Sequence, residues 1–269
     1  MNFAGVAGEG RTIEQRMPSL FIGHGSPMNA IEENLFAAAW MDAALAIPRP
    51  KAILSVSAHW ETDGSMVTAM ASPRTIHDFY GFPEELFRVE YPAPGAPELA
   101  ERVVKLFKDN EVKADESWGL DHGTWSVLRR MYPKANIPVI QLSLDRQKSP
   151  REHVALAKQL LPLRDEGVLI IGSGNIVHNL PLMRWHDDSP YPWASEFNAM
   201  ATGLIREGDL DRLTDYAALG DAARLSIPTS EHYLPLLYSL ALRTTGDSVS
   251  IFSNQVVLGS ISMQSVRIG

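Results

Sequence analysis

Cysteine is missing from all 269 residues. Its absence excludes disulfides, thiolate metal sites, iron–sulfur clusters and cysteine nucleophiles together. It also suits a reducing compartment, here expected to be the cytoplasm. Basic runs are lacking as well. The 24 Lys and Arg stand against 32 Asp and Glu, a net charge of −8, so neither nucleic acid nor an anionic membrane is expected as a partner. No stretch approaches the roughly 18 uninterrupted apolar residues of a membrane span. The first sixteen residues, MNFAGVAGEGRTIEQR, have no apolar centre of the kind a secretory signal needs. Residues 1–16 therefore read as a flexible tail and 17–269 as the folded, catalytic domain. What is present, 45% hydrophobic and 21% charged residues, is enough for the core of one large α/β domain.

Apolar runs of strand length alternate with longer helical patterns. The expected strands are Leu20–Gly23, Ala52–Ser57, Met66–Met70, Val139–Leu142, Val168–Gly172, Ser248–Phe252 and Val256–Ser262. Ala52–Ser57 and Val168–Gly172 are almost continuously apolar, the habit of strands buried on both faces. Helices are expected near Leu35–Ala46, Pro97–Phe107, Thr124–Met131, Arg151–Leu161, Ala194–Glu207, Asp209–Leu219 and Leu234–Leu242. This alternation predicts a mainly parallel or mixed central sheet flanked by helices. The last two strands, joined through Ser253-Asn254-Gln255, read as a terminal antiparallel hairpin. The proline-rich stretch from Tyr91 to Pro97, with Phe79, Tyr80, Phe82 and Phe87 upstream, reads as a fixed surface or pocket-wall loop.

Four histidines occupy punctuations beside those runs: His24 in FIGHGSPM, His59 in SVSAHW, His178 in GSGNIVHN and His232 in PTSEHYLPL. Singly, each is a common structural residue. Together, at strand exits or helix starts, they form the dispersed imidazole set that a mononuclear metal site needs. Nitrogen-rich sites suit zinc, iron or copper better than magnesium or calcium. His122, just before a helix in LDHGTW, projects toward the same crevice in this reading. His77 is balanced between an exposed loop and the pocket, while His153 and His186 read as surface residues. No H-E-x-x-H or G-x-S-x-G pattern occurs, and the Gly172-Ser173-Gly174-Asn175 stretch matches neither phosphate-loop pattern. Arg74, Arg88 and Arg184 read as surface charge, with pairing to a substrate carboxylate as the alternative.

Eight blocks in order, GHGSPM, SAHW, HDFYGFPEELFRVEYPAPG, GLDHGTW, GSGNIVHNL, SPYPWASEFN, PTSEHYLPLLY and GSISMQSVRIG, resemble the DOPA-dioxygenase-type extradiol ring-opening enzymes. These are members of the class III, protocatechuate-4,5-dioxygenase-B-like superfamily. The resemblance runs from about Met17 to Gly269. It implies a single α/β domain with one divalent metal at the carboxyl ends of its strands, held by His24, His59 and His232. His178 corresponds to an acid/base catalyst or a further metal ligand, and the need for an open position for dioxygen favours the acid/base role. His122 matches a histidine near the substrate. The resemblance further implies Fe(II) for activity with Zn(II) as an alternative occupant. The substrates would be a small aromatic diol of the DOPA kind and dioxygen, and the product a muconic semialdehyde. The oligomeric state is left open.

The wider extradiol pattern uses two histidines and one carboxylate. Here Glu231 and His232 are adjacent and would project roughly 100° apart on a helix, so the part played by Glu231 is open. Two other functions remain compatible with the same histidines: a zinc hydrolase, and a metal-binding protein of this fold without catalysis.

Overall fold

A computed structural model describes residues 16–108 and 111–269. Its strands are β1 (Ser19–Gly23), β2 (Ala52–Thr62), β3 (Ser65–Thr68), β4 (Val112–Asp115), β5 (Val139–Asp145), β6 (Val168–Gly174), β7 (Val249–Phe252), β8 (Val256–Val257), β9 (Ile261–Ser262) and β10 (Ser265–Ile268). The helices are α1 (Leu35–Leu45), α2 (Glu84–Phe87), α3 (Pro97–Val104), α4 (His122–Met131), α5 (Pro150–Gln159), α6 (Pro162–Asp165), α7 (Pro192–Glu207), α8 (Leu210–Thr214), α9 (Asp221–Ser226) and α10 (Leu234–Ala241). Eight strands make one sheet in the order β4-β3-β5-β2-β6-β1-β10-β7. At its centre β5, β2, β6 and β1 are mutually parallel. The β3–β5, β1–β10 and β10–β7 pairings are antiparallel. The sheet is therefore mixed, as expected.

The period-two geometry of a strand sends alternate side chains to opposite faces. Phe21, Leu54, Val56, Ile140, Leu142 and Ile170 pack on one face with residues of α5, α7 and α10. Leu20, Ile22, Ile53, Val139, Leu169 and Ile171 pack on the other with Trp40 of α1 and Trp125 of α4. Burial of each such aliphatic side chain contributes roughly 1.5–3 kcal/mol. Helix starts follow the local chemistry. Asn34 caps α1 through its side-chain oxygen, Asp121 caps α4, and Ser149 with Glu152 forms a full capping box on α5. No helix among the described residues is long and apolar enough to cross a membrane.

Four expectations are corrected. First, Val256–Ser262 is not one strand. Leu258 and Gly259 both take positive φ (49° and 78°), reversing the chain so that β8 and β9 form their own two-stranded ribbon. The partner of β7 is instead β10, so the hairpin through Ser253-Asn254-Gln255 does not form. Second, Asp209–Leu219 divides into α8 and a short 3-10 segment, Tyr216–Leu219. Third, the strand expected to stop at Gly172 continues through Ser173 to Gly174 as the end of β6. Cβ atoms at Gly172 and Gly174 would lie 2.2 Å from the Pro235 carbonyl oxygen and 2.1 Å from that of His232. These glycines let the His232–Pro235 segment cross the strand closely. Of the expected tail, residues 1–15 lie outside the described residues, and Arg16 pairs with Asp165 at 2.6 Å.

Fourth, His153 is fully buried. It shares the inner face of α5 with Leu156 and Ala157, three and four positions on. Its Nε2–H donates to the Asp145 carbonyl (3.2 Å) and its Nδ1 accepts from the Tyr238 hydroxyl (2.9 Å). Burial lowers its pKa from 6.5 to about 4. Between those values the unfolded chain binds a proton that the folded chain refuses. Stability is thus full above about pH 6.5 and falls as the pH drops toward 4, by roughly 3 kcal/mol from this residue. Urea unfolding of the metal-free His153→Gln variant should show a shallower loss across this interval than wild type. Parallel pH dependences would contradict a neutral His153.

Candidate metal centre

The parallel strands β1, β2 and β6 are neighbours, and the chain leaves their carboxyl ends toward one cavity of about 610 Å³. His24 follows β1 directly, its backbone N–H continuing the ladder to the Gly174 carbonyl (3.0 Å). His59 lies inside β2, in an irregular stretch. The pairing with β5 is in register at Val56–Leu142 and resumes only at Glu61–Leu144, leaving residues 57–60 opposite Ser143. Bulges of this kind re-aim side chains next to active sites. His122 opens α4. His178 lies in the loop after β6, tied by its N–H to the Ser226 carbonyl (2.9 Å). His232 precedes α10, and its carbonyl accepts from the Asn175 N–H (2.8 Å). All five imidazoles line the cavity. Ring centroids are 5.1 Å apart for His24 and His59, 5.4 Å for His24 and His232, 5.0 Å for His59 and His232, and 3.9 Å for His59 and His122.

Hydrogen bonding on the outer side of these rings determines what faces inward. The Ser173 hydroxyl donates to the Gly123 carbonyl, so its oxygen accepts the Nδ1–H of His24 (2.9 Å). Glu231 Oε1 accepts the Nδ1–H of His232 (3.0 Å) and also the Thr229 hydroxyl (2.8 Å). Asp78 Oδ2 lies 3.3 Å from His59 Nδ1. A protonated Nδ1 leaves a lone pair on Nε2, and metal-binding histidines are oriented by this arrangement. The Nε2 atoms of His24 and His59 are 3.3 Å apart. Two Zn–N bonds of about 2.05 Å at a tetrahedral angle span about the same distance. Burial lowers the pKa values of His24, His59 and His232 and brings His178 to about 2; neighbouring imidazoles add to this for His24, His59 and His178, whereas the Glu231 carboxylate opposes it for His232. Burial alone would raise the Glu231 carboxyl, but the His232 hydrogen bond outweighs it and holds the group at about 2. Neutral imidazoles with carboxylates behind them are what a divalent cation of the zinc or iron type requires.

His24, His59 and His122 form one group of converging donor atoms, and His178, Glu231 and His232 form a second. The sequence expectation grouped His232 with His24 and His59, whereas here its donor atoms group with those of His178 and Glu231, and its ring centroid lies 5.4 Å from that of His24 and 5.0 Å from that of His59. His178 and His232 stack face to face, centroids 3.4 Å apart and planes 9° from parallel. His77 stands apart: its Nε2 bonds the Val89 carbonyl (2.9 Å) and its ring packs on Phe79 and Trp125. His186 is exposed, as expected. Asp78 escaped the sequence reading, although it follows His77 directly in the aromatic block. Its only signal was a carboxylate within a pocket-wall loop. That loop is placed by Trp125, whose Nε1–H bonds the Ile76 carbonyl (2.8 Å).

Much of the remaining wall is apolar, with Phe36, Phe79, Phe82, Met183, Trp185 and Ile261, and its polar part includes Asn29, Glu32, Asn34 and Asp188. Among the described residues no Lys or Arg lines it. Arg74 bonds the Trp118 carbonyl, Arg88 pairs with Glu84, and Arg184 lies over the Tyr191 ring beside Asp187. A flat aromatic molecule with adjacent polar oxygens matches a cavity with an apolar wall and a nitrogen-lined floor.

The chain matches, over residues 18–242, a family described as the catalytic LigB subunit of aromatic ring-opening dioxygenase. It is 49% identical over 259 residues to the 4,5-DOPA dioxygenase extradiol of Escherichia coli K12, covering 94% of this chain and 95% of that protein. It is 36% identical over 256 residues to the protein of the same name from Beta vulgaris, covering 93% and 95%. A crystal structure of an uncharacterized protein from Escherichia coli K12 superposes with a TM-score of 0.83 at 44% identity, covering 94% of this chain and all of the other.

Proposed function

This chain belongs to the LigB family of catalytic subunits of aromatic ring-opening dioxygenases, and from that premise we propose that it opens a DOPA-like catechol in the five-histidine cavity. It is a ring-cleavage dioxygenase of the extradiol type. Such a reaction breaks the carbon–carbon bond beside the diol and places both atoms of dioxygen in a product that carries an aldehyde and a carboxylate. The observation that supports this site most strongly is that His24, His59 and His232 line one cavity with their Nδ1 atoms facing Ser173, Asp78 and Glu231.

His24, His59 and His232 are assigned as the metal ligands, with Fe(II) for activity and Zn(II) as an alternative occupant. When bound, the metal supplies Lewis acidity toward the diol oxygens and electrons toward dioxygen. The chain does the rest. His178 is stacked on His232 with planes nearly parallel, so the two rings present their nitrogen lone pairs in different planes. His178 is assigned as the acid/base: neutral in its buried setting, it takes a proton from one catechol hydroxyl and returns it as the ring opens. Phe79, Phe82 and Trp185 hold the ring and keep water away. A chain without cysteine suits the cytoplasm, where we place it.

Glu231→Gln keeps an acceptor near His232 Nδ1 but removes its charge. It should weaken zinc binding about 10- to 100-fold, measured by competition with a chelator. Unchanged affinity would remove Glu231 from the support of the site. The activity itself is tested by oxygen uptake of metal-stripped protein reloaded anaerobically with Fe(II) or Zn(II), given L-DOPA or unsubstituted catechol. Uptake matched to a yellow semialdehyde with iron alone is the expected result. No uptake with either metal, despite stoichiometric binding, would overturn it. Turnover without oxygen in the zinc form would favour a hydrolase.

A further inference from the structure

Asp78, which stands behind His59, also touches a second imidazole to which the scheme above gives no role. Its Oδ2 faces two imidazoles at once, 3.3 Å from His59 Nδ1 and 3.0 Å from His122 Nδ1. Its Oδ1 accepts the backbone N–H of His122 (2.9 Å) at the first turn of α4. The carboxylate is not free to move away. Ile76, two residues earlier, is held by its N–H to the Leu120 carbonyl (2.7 Å) and by its own carbonyl to Trp125.

An anionic oxygen accepts and cannot donate, and one carboxylate oxygen has room for two N–H groups. The opposite tautomers would turn the Nδ1 lone pairs of both rings toward that negative charge. We propose that Asp78 is a positioning residue that fixes His59 and His122 together as Nδ1–H tautomers, so that both rings present unprotonated Nε2 atoms to the cavity. For His59 this is the state a metal ligand requires. For His122 it specifies the direction of its hydrogen bond: the ring meets a catechol hydroxyl as an acceptor, not as a donor. If His122 takes that proton, the O–H pair stays on the substrate oxygen as negative charge. The imidazolium formed is then stabilised by Asp78, the division of labour seen in carboxylate–histidine pairs elsewhere. This chemical role for His122 rests on the ring-opening reading, whereas the tautomer assignment rests on two close approaches of one carboxylate oxygen, of which that to His122 Nδ1 is not aligned as a hydrogen bond.

The test is two-bond 1H–15N correlation on zinc-loaded, 15N-histidine-labelled protein, which reports the proton position on each ring without turnover. The wild-type spectrum should show His59 and His122 protonated at Nδ1 and not at Nε2. Asp78→Asn, with one acceptor oxygen and an NH₂ in place of the other, should move at least one of these rings toward the Nε2–H form. It should also lower kcat or zinc affinity about 10- to 100-fold. A proton on Nε2 of either ring in the wild type would overturn the proposal, whether or not the variant folds. A wild-type spectrum as expected in a protein that opens no catechol would retain the role of Asp78 and reject the ring-opening reading instead.

Discussion

Replacing His178 by alanine should leave one metal per chain bound and lower kcat by about 10²- to 10⁴-fold, the usual contribution of a positioned acid or base. Metal retention follows from geometry. The ring stacks on His232 instead of sharing its plane, and the three other ligand candidates keep their outer partners Ser173, Asp78 and Glu231. Loss of turnover follows from the state of the ring. Burial and the neighbouring His232 leave the ring unprotonated in the resting cavity, and its proton uptake depends on the charge that a bound diol brings to the site. Metal content by inductively coupled plasma mass spectrometry and steady-state oxygen uptake separate the two effects. Loss of the metal from His178→Ala would make this residue a ligand. Unchanged kcat would remove it from the chemistry.

The largest expected effect on stability lies far from the cavity. The Arg164 side chain is fully buried. It donates to the carbonyls of Met17 (2.6 Å), Leu242 (2.6 Å) and Ile268 (3.4 Å), and pairs with Asp247 at 2.7 Å. One guanidinium thus joins the approach to β1, the end of α10 and the end of β10. Arg164→Met fills most of the volume but leaves Asp247 and three carbonyls without their donor. Breaking a buried pair in this way costs about 3–5 kcal/mol, a large share of the 5–15 kcal/mol that domains usually possess. Thermal unfolding should shift down by about 10 °C or more. A shift below about 2 °C would show that water replaces the guanidinium without loss.

The site was more legible in the sequence than its supports were. His24 and His178 stand beside apolar runs because β1 and β6 end there, and His232 because α10 begins just after it, so this punctuation is visible in the residues themselves. Asp78 and the role of Ser173 were not legible, because a partner on the outer side of a ring is chosen by tertiary approach and not by spacing. Strand β2 was read as ending at Ser57. It continues to Thr62 through an irregular register that a period-two pattern does not encode. The final hairpin failed for a similar reason. A leucine at positive φ is uncommon, so the reversal at Leu258-Gly259 was hidden inside an apolar run. His153 is different. Its spacing to Leu156 and Ala157 does mark the inner face of α5, and the polar character of histidine obscured that signal.

The five imidazoles also account for the choice of fold at this place. Three adjacent parallel strands converge on one crevice, where the irregular register of β2 aims His59, the start of α4 aims His122, and the segments after β1, after β6 and before α10 carry His24, His178 and His232. Loops alone would hold such a cluster of neutral, mutually repelling lone pairs less firmly. Glycines at the end of β6 permit the close crossing that brings His232 in.

The central claim is that this cavity inserts both atoms of dioxygen beside a catechol diol. It is tested most directly by turnover of the iron-loaded protein under ¹⁸O₂, with the product trapped by reduction before its aldehyde oxygen exchanges with water. The account predicts one ring-opened product per dioxygen consumed, with one labelled oxygen in the carboxylate and one in the alcohol derived from the aldehyde. A product with two carboxylates, or one with oxygen drawn only from water, would contradict it.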